Sequence, residues 1–295
     1  MDFAPPPLLL SVPSFPSNMS GPSTDILYEL SPIEKRTFRF GVTGNSIITG
    51  GCSYLGLEVA RALLEHGASG VSLFDANPDR SYIAVNQLRC DFPSAKIVTQ
   101  RIIIFDEYTV RRAVAETVAE LKEVNMLLCL AGIDACNRAV GLGPDEWSRI
   151  LDMNADSSWL CARAVAMCMI HQGVGGSIVF TASISAHSIN CPVVPPPIAR
   201  SRGSSIPSRP SKSSIAAEWG KYGIRVNSIS PGYMSTICDE NVSLEEARRR
   251  WSSRKLMGRI DDPSELIGIV VLLCSQGGKY INGADILVES MVLGS

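Results

Sequence analysis

The sequence has little net charge, few aromatic residues and no long apolar run. Its 295 residues carry a formal net charge of −2, which gives no electrostatic reason to expect nucleic acid or an anionic membrane as a partner. No apolar run reaches the about 20 residues that a membrane-spanning helix needs. These absences argue against nucleic-acid-binding and membrane proteins.

The nine cysteines form no pattern typical of disulfide frameworks or metal sites. None belongs to a CxxC pair, and no Cys/His cluster has zinc spacing. Several lie in strongly apolar runs, as Cys129 does within Met126–Ala131. We therefore expect reduced, buried thiols and a cytoplasmic protein.

The first 37 residues differ from the rest in composition. They are rich in Pro and Ser, and residues 1–32 contain no Lys or Arg. A secretory signal needs a basic start and an unbroken apolar stretch, whereas Leu8–Leu10 is short and surrounded by prolines. We expect residues 1–37 to form a disordered tail and residues 38–295 to form one domain.

After this tail, apolar strand-like runs alternate with segments of helical periodicity. Val71–Phe74 and Met126–Leu130 are typical buried strands, while Val110, Val114 and Val118 fall on one face of a helix. A second, longer helix is expected over residues 148–171. Nearly continuous apolar strands alternating with helices predict an α/β fold, a Rossmann-type doubly wound parallel sheet. Ligands of such sheets bind at the carboxyl ends of the strands.

The first two strand ends carry features of a dinucleotide site. A glycine-rich turn, Thr49–Gly56, links the first strand to a helix, whose N-terminus would stabilise a pyrophosphate. Asp75 ends the second strand about twenty residues further on, where a carboxylate accepts hydrogen bonds from ribose hydroxyls. Because Asp75 would repel a 2′-phosphate, it favours NAD over NADP.

Further strand ends and helices carry matching motifs in a consistent order. They are Leu130-Ala131-Gly132, Asn154 within Leu151–Asn154, Ser183 after Thr181-Ala182, Arg225–Gly232, Met257–Arg259, Pro263–Leu266 and Ile281–Ala284. Together with the glycine turn, these segments resemble the short-chain dehydrogenase/reductase family over nearly everything from Phe38 onward. Within that family they look most like fungal polyol dehydrogenases and secondary-metabolite reductases.

The resemblance implies hydride transfer between a nicotinamide, NAD or NADP, and the carbon of a small-molecule alcohol or ketone. It implies that Ser183 orients the substrate oxygen and that Asn154 holds a water in the proton relay. It also implies a homodimer or homotetramer. The residues expected to bind the cofactor are Thr49, Gly50, Leu55, Gly56, Asp75, Ala131, Gly132, Arg202, Pro231, Gly232, Met234 and Thr236.

The family's Tyr-x-x-x-Lys pair, its general base and the lysine that activates it, is missing. Aligned without gaps, Ile198 replaces the tyrosine and Arg202 replaces the lysine, and no tyrosine occurs between Tyr108 and Tyr222. Residues 192–214 are rich in Pro, Ser and Arg and contain no acidic residue. Prolines inside this stretch would break a helix at about 3 kcal/mol or more each.

Three explanations of residues 192–214 remain open. The first is a reading-frame slip or misplaced intron boundary in the gene model, and the second is a real domain that has lost redox chemistry. The third is a repurposed pocket, such as that of an isomerase or cyclase. Translating the nucleotide sequence in all three frames separates them, because only the first predicts Tyr-x-x-x-Lys in another frame.

The preferred hypothesis is an NAD(P)-dependent oxidoreductase that interconverts a secondary alcohol and a ketone, in polyol or secondary metabolism. The alternatives are a redox-inactive nucleotide-binding homologue and a non-redox pocket enzyme. A smaller departure concerns the glycine turn, where Tyr54 stands at the family's second glycine and is expected to weaken pyrophosphate binding.

Overall fold

The structure is a computed structural model that describes residues 29–133, 141–187, 211–232, 234, 252, 255–259 and 261–289. Its strands are β1 (Asn45–Thr49), β2 (Gly70–Asp75), β3 (Lys96–Arg101), β4 (Met126–Cys129), β5 (Gly176–Thr181), β6 (Ile224–Pro231) and β7 (Asp285–Val288). They form one sheet in the order β3-β2-β1-β4-β5-β6-β7, and every pairing is parallel. The predicted doubly wound sheet in a single domain is confirmed.

Helices cover both faces of this sheet. The α-helices of the described residues are α1 (Pro32–Phe40), α2 (Tyr54–Glu65), α3 (Tyr82–Asp91), α4 (Glu107–Leu121), α5 (Pro144–Leu151), α6 (Ser157–Gln172), α7 (Lys212–Gly220) and α8 (Ile267–Cys274). The described helices include none that is both long and apolar enough to cross a membrane.

Two hydrophobic layers form the core because successive strand residues point to opposite faces. Ile48 packs with Val59 of α2 and Val270 of α8 on one face. Ile47 packs with Val165 of α6 and Trp219 of α7 on the other. Strands buried on both faces explain the continuous apolar runs in the sequence.

The strand order places a crevice above the carboxyl end of β1. From β1 the chain winds outward to β2 and β3, and then returns to the other side of β1 through β4. Ligands of open α/β sheets bind at such a reversal of strand order. The ends of β1, β2, β4, β5 and β6 therefore define the site.

Two details differ from the sequence-based expectation. Helix α1 crosses the predicted tail boundary at residue 37, since Ser31 and Glu34 form a capping box at its start. The single helix expected over 148–171 is divided by a π-turn at Asp152–Asp156. Inside that turn, the side chain of Asn154 bonds the backbone of another segment, and π-turns often mark such functional positions.

Candidate active site

Three glycines shape the turn between β1 and α2. Gly50 has φ +65°, and a Cβ added there would lie 3.1 Å from the backbone nitrogen of Ala131. A Cβ on Gly51 would lie 2.8 Å from Leu73 Cα, and one on Gly56 would lie 2.7 Å from Gly51 Cα. Any side chain at these positions would displace backbone, so the close packing of the turn against β2, the end of β4 and the start of α2 requires glycine.

Helix α2 begins in this turn with a side-chain cap. Ser53 accepts a hydrogen bond from the Gly56 amide at 3.0 Å, and its own amide donates to the Gly50 carbonyl at 2.9 Å. The positive end of the helix dipole therefore faces the crevice. Tyr54 starts the helix with 56% of its surface exposed, so its ring lies mostly in solvent beside the turn.

Asp75 lies at the end of β2 as predicted and is 7% exposed. Its carboxylate accepts hydrogen bonds from the amides of Cys52 (3.2 Å) and Asn77 (2.9 Å). The Arg80 guanidinium lies 3.3 Å from Asp75 Oδ2. Burial, together with the charge of Asp75, raises the pKa of the Cys52 thiol to about 11. Asp75 is thus tied to the glycine turn, and Arg80 compensates its charge.

The end of β4 is joined both to β1 and to the π-turn. The Ala131 amide donates to Thr49 Oγ1 at 3.2 Å. Next to Gly132, the backbone of Ile133 is held in two directions: its amide donates to Asn154 Oδ1 (2.8 Å), and its carbonyl accepts from Asn154 Nδ2 (2.9 Å). Asn154 is 7% exposed. The predicted catalytic asparagine therefore reaches the predicted strand end.

Ser183 follows β5 at the neighbouring strand end. The Ala182 amide donates to the Ile229 carbonyl of β6 at 2.7 Å, which fixes the start of this turn. Ser183 Oγ accepts from the Ser185 amide at 3.2 Å and caps a short 3₁₀ turn, Ile184–Ala186. Ser183 is half-buried and lies just beyond the carboxyl end of β5.

Pro231 ends β6, and the amide of the following Gly232 donates to the Val288 carbonyl at 3.1 Å. Met234 is buried and pairs with Asp261 through a parallel β-bridge. A Cβ on Gly232 would overlap the carboxylate of Glu289 and lie 2.6 Å from Asp261 Oδ2. The glycine is thus needed for this close approach.

A buried ion cluster lies against Gly232. Lys255 Nζ is 3.0 Å from Asp261 Oδ2 and 3.2 Å from Glu289 Oε1, and the Lys255 side chain is 1% exposed. The cluster joins the return of the chain after β6 to the end of β7. Sequence reasoning missed it because Lys255 and Asp261 match no motif and Glu289 lies far from both along the chain.

The remaining predicted positions have separate outcomes. Leu55 lies in the first turn of α2 and packs against the core with part of its side chain exposed. Ile198, Arg202 and Thr236 lie outside the described residues. Lys212, the one lysine of the aberrant segment, is the first residue of α7.

Arg80 and Ser53 were not among the predicted site residues. An arginine five residues after Asp75 and a serine before the first helical residue are weak signals, since both residue types are common on surfaces. Only the ion pair with Asp75 and the bond to Gly56 give them a role. The sequence signal for Ser53 was its position as a helix N-cap.

The geometry defines a doubly wound α/β protein with a glycine-rich turn between β1 and α2 and polar side chains at the ends of β4 and β5. A family model described as enoyl-(acyl carrier protein) reductase matches residues 52–290. The chain belongs to the short-chain dehydrogenase/reductase family.

Individual relatives agree with this assignment. An NADP-dependent mannitol dehydrogenase of Hypocrea jecorina is 28% identical over 253 residues, which are 85% of this chain and 92% of that protein. A short-chain dehydrogenase/reductase from Mycobacterium marinum superposes with a TM-score of 0.78 at 28% identity, covering 88% of this chain and 98% of the other. A gluconate 5-dehydrogenase from Burkholderia cenocepacia, in complex with NADP and tartrate, has a TM-score of 0.77 at 26% identity, covering 86% and 97%.

Proposed function

We propose that the protein is an NAD(P)-dependent oxidoreductase that interconverts a secondary alcohol and a ketone. The observation that carries the proposal is the arrangement of neighbouring strand ends: the glycine cradle after β1, Asn154 on the end of β4, and Ser183 after β5. It combines a place for a dinucleotide with polar groups for a substrate oxygen.

The residues present fit a nicotinamide dinucleotide. The turn glycines let this segment pack closely on neighbouring backbone, the Ser53-capped start of α2 favours an anion, and Asp75 lies where an adenosine ribose is bound in dinucleotide folds. The bound dinucleotide supplies a hydride acceptor or donor. Thr49, Gly50, Leu55, Gly56, Ala131, Gly132, Pro231, Gly232 and Met234 would line its path.

Ser183 would hold the substrate oxygen by a hydrogen bond from its hydroxyl. Asn154 would keep the β4 end in place, because both polar atoms of its amide bond the backbone of Ile133. The chain has no tyrosine between Tyr108 and Tyr222 to take the proton. General acid–base catalysis typically contributes about 10²- to 10⁴-fold, so we expect turnover below that of relatives with the tyrosine by about this factor.

Polyols and sugars are the substrate class that we propose to test first. Relatives include the mannitol dehydrogenase and a galactitol 2-dehydrogenase of Cereibacter sphaeroides, which is 29% identical. Secondary metabolism is the second proposed setting. Among the described residues the cysteines are free thiols, which supports a reducing, cytoplasmic location.

A titration of the purified chain with NADPH and NADH, followed by fluorescence, tests the binding half of the proposal. Assays with mannitol, galactitol, fructose and aromatic ketones then test turnover. We expect Ser183→Ala to lower kcat by about 100-fold with cofactor binding unchanged, since a positioned donor to a reacting oxygen contributes on this scale. Ser185→Ala, in the same turn, is the matched control.

Binding without turnover would overturn the oxidoreductase proposal for this chain. It would favour the second candidate, a redox-inactive nucleotide-binding homologue, for which the missing tyrosine is the specific observation. Turnover of an isomerisation without change in NADPH absorbance would instead support a non-redox pocket enzyme.

The pair formed by Asp75 and Arg80 sets the cofactor preference in our proposal. Asp75 alone favours NAD, but the Arg80 guanidinium offsets its charge and offers a partner to a 2′-phosphate. We expect Arg80→Ala to weaken NADPH binding about tenfold, or about 1.4 kcal/mol, and NADH binding by less than about twofold. Dissociation constants from fluorescence titration measure both effects.

Arg61→Ala is the control for the Arg80 variant, because Arg61 is also ion-paired, to Asp91 at 2.7 Å, on the outer side of α2. It should leave both dissociation constants unchanged. Equal weakening of NADPH and NADH by Arg80→Ala would show that Arg80 does not discriminate between the two cofactors.

A further inference from the structure

A second polar cluster lies beside the Ser183 turn, at the start of β7. Its members come from four elements: His187, Lys212, Ser228, Ser230 and Asp285. Asp285 Oδ1 accepts hydrogen bonds from Ser228 Oγ (2.6 Å) and Ser230 Oγ (3.0 Å), and Asp285 Oδ2 lies 2.6 Å from His187 Nε2. The carboxylate therefore joins the chain after β5 to β6 and β7.

Helix α7 reaches the same carboxylate through one hydroxyl. Lys212 Nζ donates to Ser228 Oγ at 3.0 Å. Burial lowers the pKa of Lys212, an effect that Asp285 partly offsets. Burial disfavours the charged form of Asp285, but the bonds from Ser228 and Ser230 and the charge of Lys212 outweigh it and hold the pKa of that carboxyl below its ordinary value.

The cluster lacks the geometry of a hydrolytic triad. A triad histidine contacts its serine through one ring nitrogen and its carboxylate through the other. Here Ser230 Oγ (3.2 Å) and Asp285 Oδ2 both meet Nε2 of His187. Ser230 is fully buried, so a substrate cannot reach its hydroxyl. These contacts hold segments together rather than activate a nucleophile.

The carboxylate stands on a rigid support. Asn227 of β6 is fully buried and bonds both sides of the chain entering β7: its Nδ2 donates to the Ile281 carbonyl (2.8 Å), and its Oδ1 accepts from the Ala284 amide (3.0 Å). Ser228 and Asp285 are also paired in register between β6 and β7. The side chains bonded to Asp285 are therefore fixed in position relative to the sheet.

The Asp285 carboxylate is linked by hydrogen bonds to two other parts of the site, the turn after Ser183 and the start of α7. The His187 amide donates to the Ile184 carbonyl at 2.8 Å and closes the turn that Ser183 begins. Lys212 is the first residue of α7. We propose that Asp285 is a positioning residue that sets the orientation of the Ser183 hydroxyl toward the substrate. It does so by holding His187 directly and Lys212 through Ser228. The inference rests on the proposed oxidoreductase function.

Asp285→Asn tests the proposal through steady-state kinetics. We expect kcat to fall between about 10- and 100-fold, the scale of a displaced catalytic group. The NADPH dissociation constant should stay within about twofold, because the cradle lies at β1 and β2. His187→Gln should give a similar loss, and the double variant should lose little more, since both changes break one network. Asp145→Asn, an exposed aspartate of α5, is the control.

Hydrogen–deuterium exchange provides a readout that needs no turnover. Asp285→Asn should speed exchange at the His187 amide and in the first turn of α7, and leave α2 unchanged. If the variant fails to fold, His187→Gln alone takes its place. The inference would be overturned if the variant had amide exchange rates within twofold of the wild type at His187 and in the first turn of α7, and a kcat within twofold of the wild type. A wild-type chain without turnover would overturn the proposed function, while the exchange experiment would still decide the role of Asp285.

Discussion

Gly56→Ala is expected to raise the dissociation constant for NADPH by about 100-fold or more, equivalent to about 2.8 kcal/mol. The added Cβ would lie 2.7 Å from Gly51 Cα and closer still to the Gly50 carbonyl oxygen. Both contacts are with backbone, which cannot rotate away as a side chain could. The turn must therefore open, and the amides at the start of α2 would no longer point toward the proposed position of the pyrophosphate.

The matched control is Gly268→Ala in α8. Both glycines lie within helices, so both substitutions gain helix propensity of about 1 kcal/mol, but a Cβ on Gly268 meets nothing within 4 Å. Gly268→Ala should keep cofactor binding and melt at an equal or higher temperature. NADPH binding by Gly56→Ala equal to that of the wild type would rule out the glycine turn as the pyrophosphate site.

Lys255→Met is expected to lower the free energy of unfolding by about 3–5 kcal/mol, the cost of removing one partner from a buried ion pair. Lys255 holds two carboxylates, Asp261 at 3.0 Å and Glu289 at 3.2 Å. The Glu289 side chain is 2% exposed and packs directly against Gly232. Without the ammonium, these carboxylates repel each other in a site that water barely reaches. Urea unfolding followed by circular dichroism measures the change.

A compensated variant separates charge from packing. Lys255→Met combined with Asp261→Asn and Glu289→Gln removes the buried charges together, and replacing a whole buried ion pair is often neutral. We expect this triple variant to recover most of the lost stability. Lys279→Met, at an exposed position, should change stability by less than about 0.5 kcal/mol. A decrease in the free energy of unfolding of less than about 1 kcal/mol in Lys255→Met would contradict the proposed stabilising role of this lysine.

The sequence predicted the positions of structural features where a local pattern of residues or the end of a strand marks them. Thr49–Gly56 is predicted as a turn because glycines before a helical segment have a local meaning, and the structure shows why no side chain fits at Gly50, Gly51 or Gly56. The sequence singles out Asn154 through its match to a family motif, at a helical position for which asparagine is a poor former. The structure gives the reason, since its amide bonds Ile133 instead of solvent.

The expectation that Asp75 favours NAD remains a prediction. It considered the carboxylate alone, because an aspartate at the end of the second strand is the visible signal. The structure adds Arg80, which a 3₁₀ turn at Pro78–Ser81 brings back to within 3.3 Å. A preference between NAD and NADP depends on the sum of these charges at one point in space.

The sequence by itself determined the doubly wound fold, the order of its strands' functional ends and the absence of the tyrosine–lysine pair. Each of these depends on residue type and on spacing within one element or between consecutive elements. The tertiary structure alone decided which charged groups meet: Asp75 with Arg80, Lys255 with Asp261 and Glu289, and Asp285 with His187. Such pairs match no sequence motif, because the turns and the sheet that join them, and the burial that makes their charges matter, exist only after folding.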